Sequence, residues 1–169
     1  APIVYEDMMG PMYFFLASYL LGNVGAFLAV AQIEALQNGP VDRQSVKGLF
    51  HRNPWVAGCL ALCLVSLTGL PPTAGFMAKF YLFGKAIHVG NLILPIFGVV
   101  GSLIGAAYYL GTAISLFARS EAEEESTESE ETAAEDVITS TSQAALAFCS
   151  LGVLVLGIVP AGFLHWLMH

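Results

Sequence analysis

Long apolar runs separated by short polar stretches dominate this chain. About 20 apolar residues, rising 1.5 Å each, cross a hydrocarbon core of about 30 Å. By that measure residues 12–36, 92–118 and 139–168 are runs of ordinary span length. The run over residues 54–90 is too long for one straight crossing, since it would make a helix of roughly 55 Å. In its middle, over residues 69–75, stands Gly69-Leu70-Pro71-Pro72-Thr73-Ala74-Gly75. Two prolines remove backbone donors and two glycines loosen the helix there. Two structures fit: a hairpin of two short spans, or one span interrupted in its middle.

Loop charge bears on that choice. Arg43, Lys47, His51 and Arg52 lie in the loop 37–53, which the excess of basic residues in cytoplasmic loops assigns to the cytoplasmic side. A single interrupted crossing then leaves the Gly90-Asn91 turn outside and returns the loop 119–138, with Arg119, to the cytoplasm. A hairpin reverses both. The bias rests on a few residues and favours the interrupted helix.

Composition agrees with a lipid-embedded chain. Of the 169 residues 56% are hydrophobic and 11% charged, against about a quarter charged in soluble domains; mean hydropathy is +0.71. The predicted fold class is all-α: a polytopic transmembrane helix bundle of four membrane segments, the second discontinuous. The net charge of −7 is local, because nine of the thirteen acids fall within residues 121–136. This Glu/Ser/Thr/Ala-rich segment, within a loop over about 120–137, reads as solvated chain. No basic footprint for nucleic acid is present. The chain begins at Ala1 with no signal-peptide pattern, and we expect it to be part of a longer polypeptide.

Lys79 carries the candidate chemistry. If the outer boundary lies near Gly90, Lys79 sits about 16 Å below it, close to the midplane. Lys85 is nearer the boundary and can extend its ammonium to the headgroups. A charged lysine at mid-membrane costs about 3 kcal/mol on insertion scales, and desolvation disfavours the charged form of any amine. A lysine so placed beside a helix break, with water or a carboxylate in reach, can load and release a proton. Irregular backbone survives at that depth only where protein or water lines it, and the free amides and carbonyls of a break are expected to bind water. The plainer alternative is an inert lysine at a misjudged boundary.

Other polar positions are weaker candidates. Ser18 and Asn23 can hold water or bond across helices, the latter being the commoner role. Glu34 reads as an interfacial carboxylate or a proton entry group. Tyr108 and Tyr109 line a water path near Lys79 or simply pack. Gly101 and Gly105 permit close helix approach. His88, His165 and His169 fall near span boundaries. Cys59 and Cys63 share a helix face but lack further ligands for a metal and, with Cys149, read as small buried residues.

The run Ser66-Leu67-Thr68-Gly69-Leu70-Pro71-Pro72-Thr73-Ala74-Gly75-Phe76-Met77-Ala78-Lys79-Phe80-Tyr81-Leu82-Phe83 resembles the signature of the subunit N family, the antiporter-type subunits of respiratory complex I (NADH–quinone oxidoreductase). Arg52-Asn53-Pro54, the Asn23, Gly25, Ala26 and Phe27 of the first span, and Tyr108-Tyr109-Leu110 are similar to the same family, over residues 13–117. Gly111 departs from it, since an arginine often follows that tyrosine pair. The resemblance implies that these are the last helices of a longer subunit and that the second run is a discontinuous helix. It implies that Lys79 is a proton relay toward the outer side. Its implied partners are the preceding helices of the same subunit, other membrane subunits and lipid. NADH, FMN, iron–sulfur clusters and quinone then belong to partner subunits, with none in this chain. The implied location is a bacterial plasma membrane or an equivalent energy-transducing membrane. The rival readings are a subunit of a multisubunit cation/proton antiporter or membrane-bound hydrogenase, and a non-pumping structural membrane subunit.

Overall fold

The computed structural model describes residues 2–37, 39–118 and 140–159, whose regular structure is helical throughout. The helices are α1 (Pro2–Gln37), α2 (Arg43–Val46), α3 (Leu49–Arg52), α4 (Pro54–Thr68), α5 (Ala74–His88), α6 (Ile93–Phe117) and α7 (Ser140–Ile158). Met9–Gln37, Ile93–Phe117 and Thr141–Ile158 are long and apolar enough to cross a membrane, and Pro54–Thr68 is a shorter apolar helix.

Local chemistry sets the helix ends. Asn53 opens α4, its side chain accepting from the Val56 amide at 3.3 Å, with Pro54 at the first helical position where no amide is needed. Asn91 does the same for α6, accepting from Ile93 and Leu94 at 3.2 and 3.4 Å. Glycines close α4 and α5. Gly69, at φ 87, donates to the Ser66 carbonyl at 3.0 Å while Leu70 donates to Val65 at 3.2 Å. Gly90, at φ 83, repeats the pattern, with Gly90 donating to Ile87 and Asn91 to Ala86, both at 2.9 Å. A left-handed residue is what this closure needs, and glycine adopts it without steric cost.

One pattern of packing positions the site. Side-chain contacts along α1, from its C-terminal end backwards, meet α4 and then α5 in order. Ala29 and Ile33 share a buried cluster with Val56, Ala57 and Leu60. A side chain at Gly25 would touch Cys63, and one at Gly22 would touch Leu67. Phe15 and Ser18 then face Ser66, Ala78 and Lys79, and Phe14 meets the Tyr81 ring edge-on at 6.3 Å. The two short helices lie end to end beside one long helix. α7 closes the other side, where a Cβ at Gly157 would strike the backbone of Pro72–Ala74. The Gly25 and Gly157 approaches are too close for any residue with a Cβ.

Several expectations need correction or extension. α1 starts well before residue 12 and runs through Pro11, which forfeits one helical bond, a loss that membrane helices tolerate. Within the described residues the last run forms α7, Ser140–Ile158, and residues 160–168 of the expected span lie outside them. Pro160 follows and disfavours helical backbone at Val159. Among the described residues Gly101 meets no neighbouring helix and Gly105 meets only Tyr109 of its own helix, while Gly98 is where α6 approaches α5, against the Phe83 ring. The helical period turns Pro95, Gly98, Ser102, Tyr109, Ala113 and Leu116 inward, and this puts Gly101 on the outer face. The acidic loop, Arg119, His165 and His169 lie outside the described residues.

Candidate functional site

The break between α4 and α5 is closed by each helix capping the other. An α-helix ends with four carbonyls that have no partner within it. At the end of α4 the glycine closure occupies two of them, on Val65 and Ser66. The other two, on Leu67 and Thr68, accept from Lys79 Nζ at 3.1 and 3.0 Å. In return Ser66 of α4 accepts, through Oγ, from the Gly75 amide in the first turn of α5 at 3.2 Å. Between the two helices Thr73 is buried and donates its hydroxyl to the Leu70 carbonyl at 2.6 Å, and Pro71 and Pro72, joined by a cis peptide bond, face outward.

The two glycines flanking the break are explained by this contact. A Cβ at Gly69 would lie 2.9 Å from Lys79 Nζ, and one at Gly75 would overlap the Ser66 carbonyl. All four end carbonyls of α4 thus accept from protein groups, because the lysine reaches back across the gap.

Electrostatics favours this placement. The carboxyl end of a helix carries roughly half a negative charge, and a cation there gains up to about 2 kcal/mol when partly buried. Hydrogen bonds from a charged donor contribute about 1.5–3 kcal/mol each. Together these are of the size of the approximately 3 kcal/mol that insertion scales assign to a lysine at mid-membrane. Among the described residues Lys79 pairs with carbonyls and with no carboxylate. Beside it lies a cavity of about 10 Å³ lined by Phe15, Ser18, Tyr19, Ser66, Leu67 and Ala78.

Of the residues singled out from sequence, Lys79, Gly69 and Gly75 converge, with Pro71 and Pro72 bounding the same turn. Asn23 does not join them: its amide donates to the Tyr19 carbonyl of its own helix at 2.8 Å. Tyr108 and Tyr109 do not line this cavity. Tyr109 packs on the buried cluster of Ala29, Val56 and Leu60, and Tyr108 is 64% exposed on the outer face of α6. Glu34 and His88 are exposed. Cys59, Cys63 and Cys149 are buried free thiols. Ser66 and the Leu67 and Thr68 carbonyls escaped notice, although Ser66 precedes the Pro-Pro pair by little more than a helical turn.

Two short helices joined through a lysine that caps the first can now be compared with known proteins. The sequence model of the NADH:quinone oxidoreductase/Mrp antiporter transmembrane family matches residues 4–105. The chain belongs to this family. Among relatives within it, NADH-quinone oxidoreductase subunit N of Protochlamydia amoebophila is 34% identical over 164 residues, covering 97% of this chain and 32% of the relative. Subunit N of Bdellovibrio bacteriovorus is 40% identical over 104 residues, covering 62% of this chain and 21% of the relative. A chain of respiratory complex I from Thermus thermophilus, solved with bound aureothin, superposes with a TM-score of 0.65 at 28% identity, covering 94% of this chain and 36% of that one. The subunit N resemblance read from sequence is thereby borne out, and the chain spans a third or less of the length of these curated relatives.

Proposed function

We propose that this chain is part of a proton-translocating membrane-arm subunit of an NADH–quinone oxidoreductase, and that Lys79 is a proton relay within it. The observation that carries the reading is the bond from Lys79 Nζ to the Leu67 and Thr68 carbonyls. It holds a titratable amine at the interruption of an apolar helix, in a chain whose relatives are named subunit N. The end-to-end packing of α4 and α5 along α1 supports one interrupted crossing, and hence four membrane segments, over a hairpin. Protons would reach Lys79 through the rest of the subunit and leave toward the outer side. NADH, FMN, iron–sulfur clusters and quinone are assigned to partner subunits. The loops 37–53 and 119–138 face the cytoplasm of a bacterial plasma membrane in this reading.

The test is Lys79→Met in the full subunit within its complex, reconstituted in sealed vesicles. Assembly and NADH–quinone electron transfer should survive while proton uptake per NADH falls several-fold or more; loss of a proton-transferring group costs about 10²–10⁴-fold in the step it serves. Wild-type pumping by the assembled variant would reject the role. The family description also names Mrp antiporters, so a subunit of a cation/proton antiporter is the second reading; copurification with cation-exchange partners in place of quinone-reducing activity would favour it.

A further inference from the structure

Ser18 behaves unlike other hydroxyls in these helices. Thr68, Ser102, Thr112 and Ser150 each turn back to donate to the carbonyl four residues earlier, at 2.7 to 3.2 Å, the usual way a helical hydroxyl is satisfied. Ser18 is 2% exposed and its Oγ has no partner. A buried hydroxyl left unpaired costs about 1–3 kcal/mol, so a partner is called for. Ser18 lines the cavity that Lys79 also lines, and its volume of about 10 Å³ is the smallest that admits one water.

The stoichiometry of the amine points to the same place. An ammonium has three N–H donors. Two are taken by the Leu67 and Thr68 carbonyls, which accept hydrogen bonds but do not take the proton. The remaining position is the only one that exchanges without breaking the fork. A neutral amine keeps both carbonyl bonds with its two N–H groups and turns its lone pair to that same position.

We propose that Ser18 is a positioning residue, whose hydroxyl fixes one water in this cavity against the third position of Lys79 Nζ, making that water the proton's first step off the lysine. The proposal rests on Lys79 being the relay. On release the third N–H bond breaks and its electron pair stays on nitrogen. The proton joins the water oxygen, and that water passes one of its own protons to the next water; loading is the reverse. The α1–α4 seam beyond Ser18 is closed by Gly22 against Leu67 and Gly25 against Cys63, so the next water lies on the open side of the cavity and not along that seam.

The test uses the intact complex, imaged at a resolution that shows ordered waters, with pumping measured in vesicles. The wild type should show a water within hydrogen-bonding distance of both Ser18 Oγ and Lys79 Nζ. Ser18→Ala should lose that density and lower proton uptake per NADH about twofold, a smaller fall than that of Lys79→Met, which removes the group that transfers the proton itself. Ser150→Ala, which removes another buried hydroxyl away from the cavity, should change neither. Absence of the water in the wild type overturns the proposal, as does a Ser18→Ala complex that pumps normally or loses pumping with the water still in place. Each of these is distinct from failure of the relay itself, which shows as normal pumping in Lys79→Met.

Discussion

At Lys79 two carbonyls at the end of an apolar helix take two of the three donors of an ammonium. In the proposed relay role the third position is the one left for exchange. Gly69 is what lets the fork close, since its φ of 87 completes the α4 end and its missing Cβ leaves room for Nζ. Gly69→Ala should therefore cost about 1–2 kcal/mol from left-handed backbone alone and also push the ammonium away. The expected outcome is a lower melting temperature of the assembled subunit together with reduced pumping; an unchanged melting temperature would show that the contact is not formed. Lys79 and its glycines were legible in sequence because proline, glycine and a lone charge in an apolar run are rare and physically costly. The partners of Lys79 were not, because backbone carbonyls have no sequence signature.

Among the elements, α4 and α5 are held as one unit by reciprocal capping. Removing the cap that α4 supplies, by Ser66→Ala, takes away the only side-chain partner of the Gly75 amide among the described residues. A loss of about 1 kcal/mol is expected, as for other caps, measured as faster amide hydrogen exchange in the first turn of α5; exchange equal to wild type would count against the cap. The junction of α1, α4 and α7 is tighter. A Cβ on Gly25 would sit 2.6 Å from Cys63 Sγ and 3.1 Å from Cys149 Cβ. Gly25→Ala should destabilise by about 1–3 kcal/mol through overpacking. Adding Cys63→Ala should restore part of that, a coupling expected only of residues in contact; strictly additive effects on melting temperature would place the two apart. Helix existence and most boundaries were legible from apolar run length and from Asn53, Pro54, Gly69, Gly90 and Asn91. The inward face of α6 was misjudged, since Gly101 and Gly105 suggest a contact that only the rotation of the helix about its axis decides.

For the whole molecule the consequence to test is the number of crossings between the loop 37–53 and the Gly90-Asn91 turn. Lys47 and Asn91 are both exposed. In a cysteine-free background, Lys47→Cys and Asn91→Cys should react with a membrane-impermeant maleimide from opposite sides of sealed vesicles. Labelling of both from one side would replace the interrupted crossing with a hairpin.

The residues by themselves determined the class of molecule and the place to look. An apolar content this high leaves lipid as the solvent, and a double proline beside a lone lysine marks where a helix must stop. What joins to what was decided in three dimensions. Ser18 and Ser66 line one cavity with Lys79, and Tyr108 and Tyr109 do not, because proximity follows from how α1 runs beside α4 and then α5 and from the rotation of α6. Neither quantity is encoded in local spacing; both come from packing of small residues such as Gly22, Gly25, Gly75 and Gly157, whose effect depends on what stands opposite them.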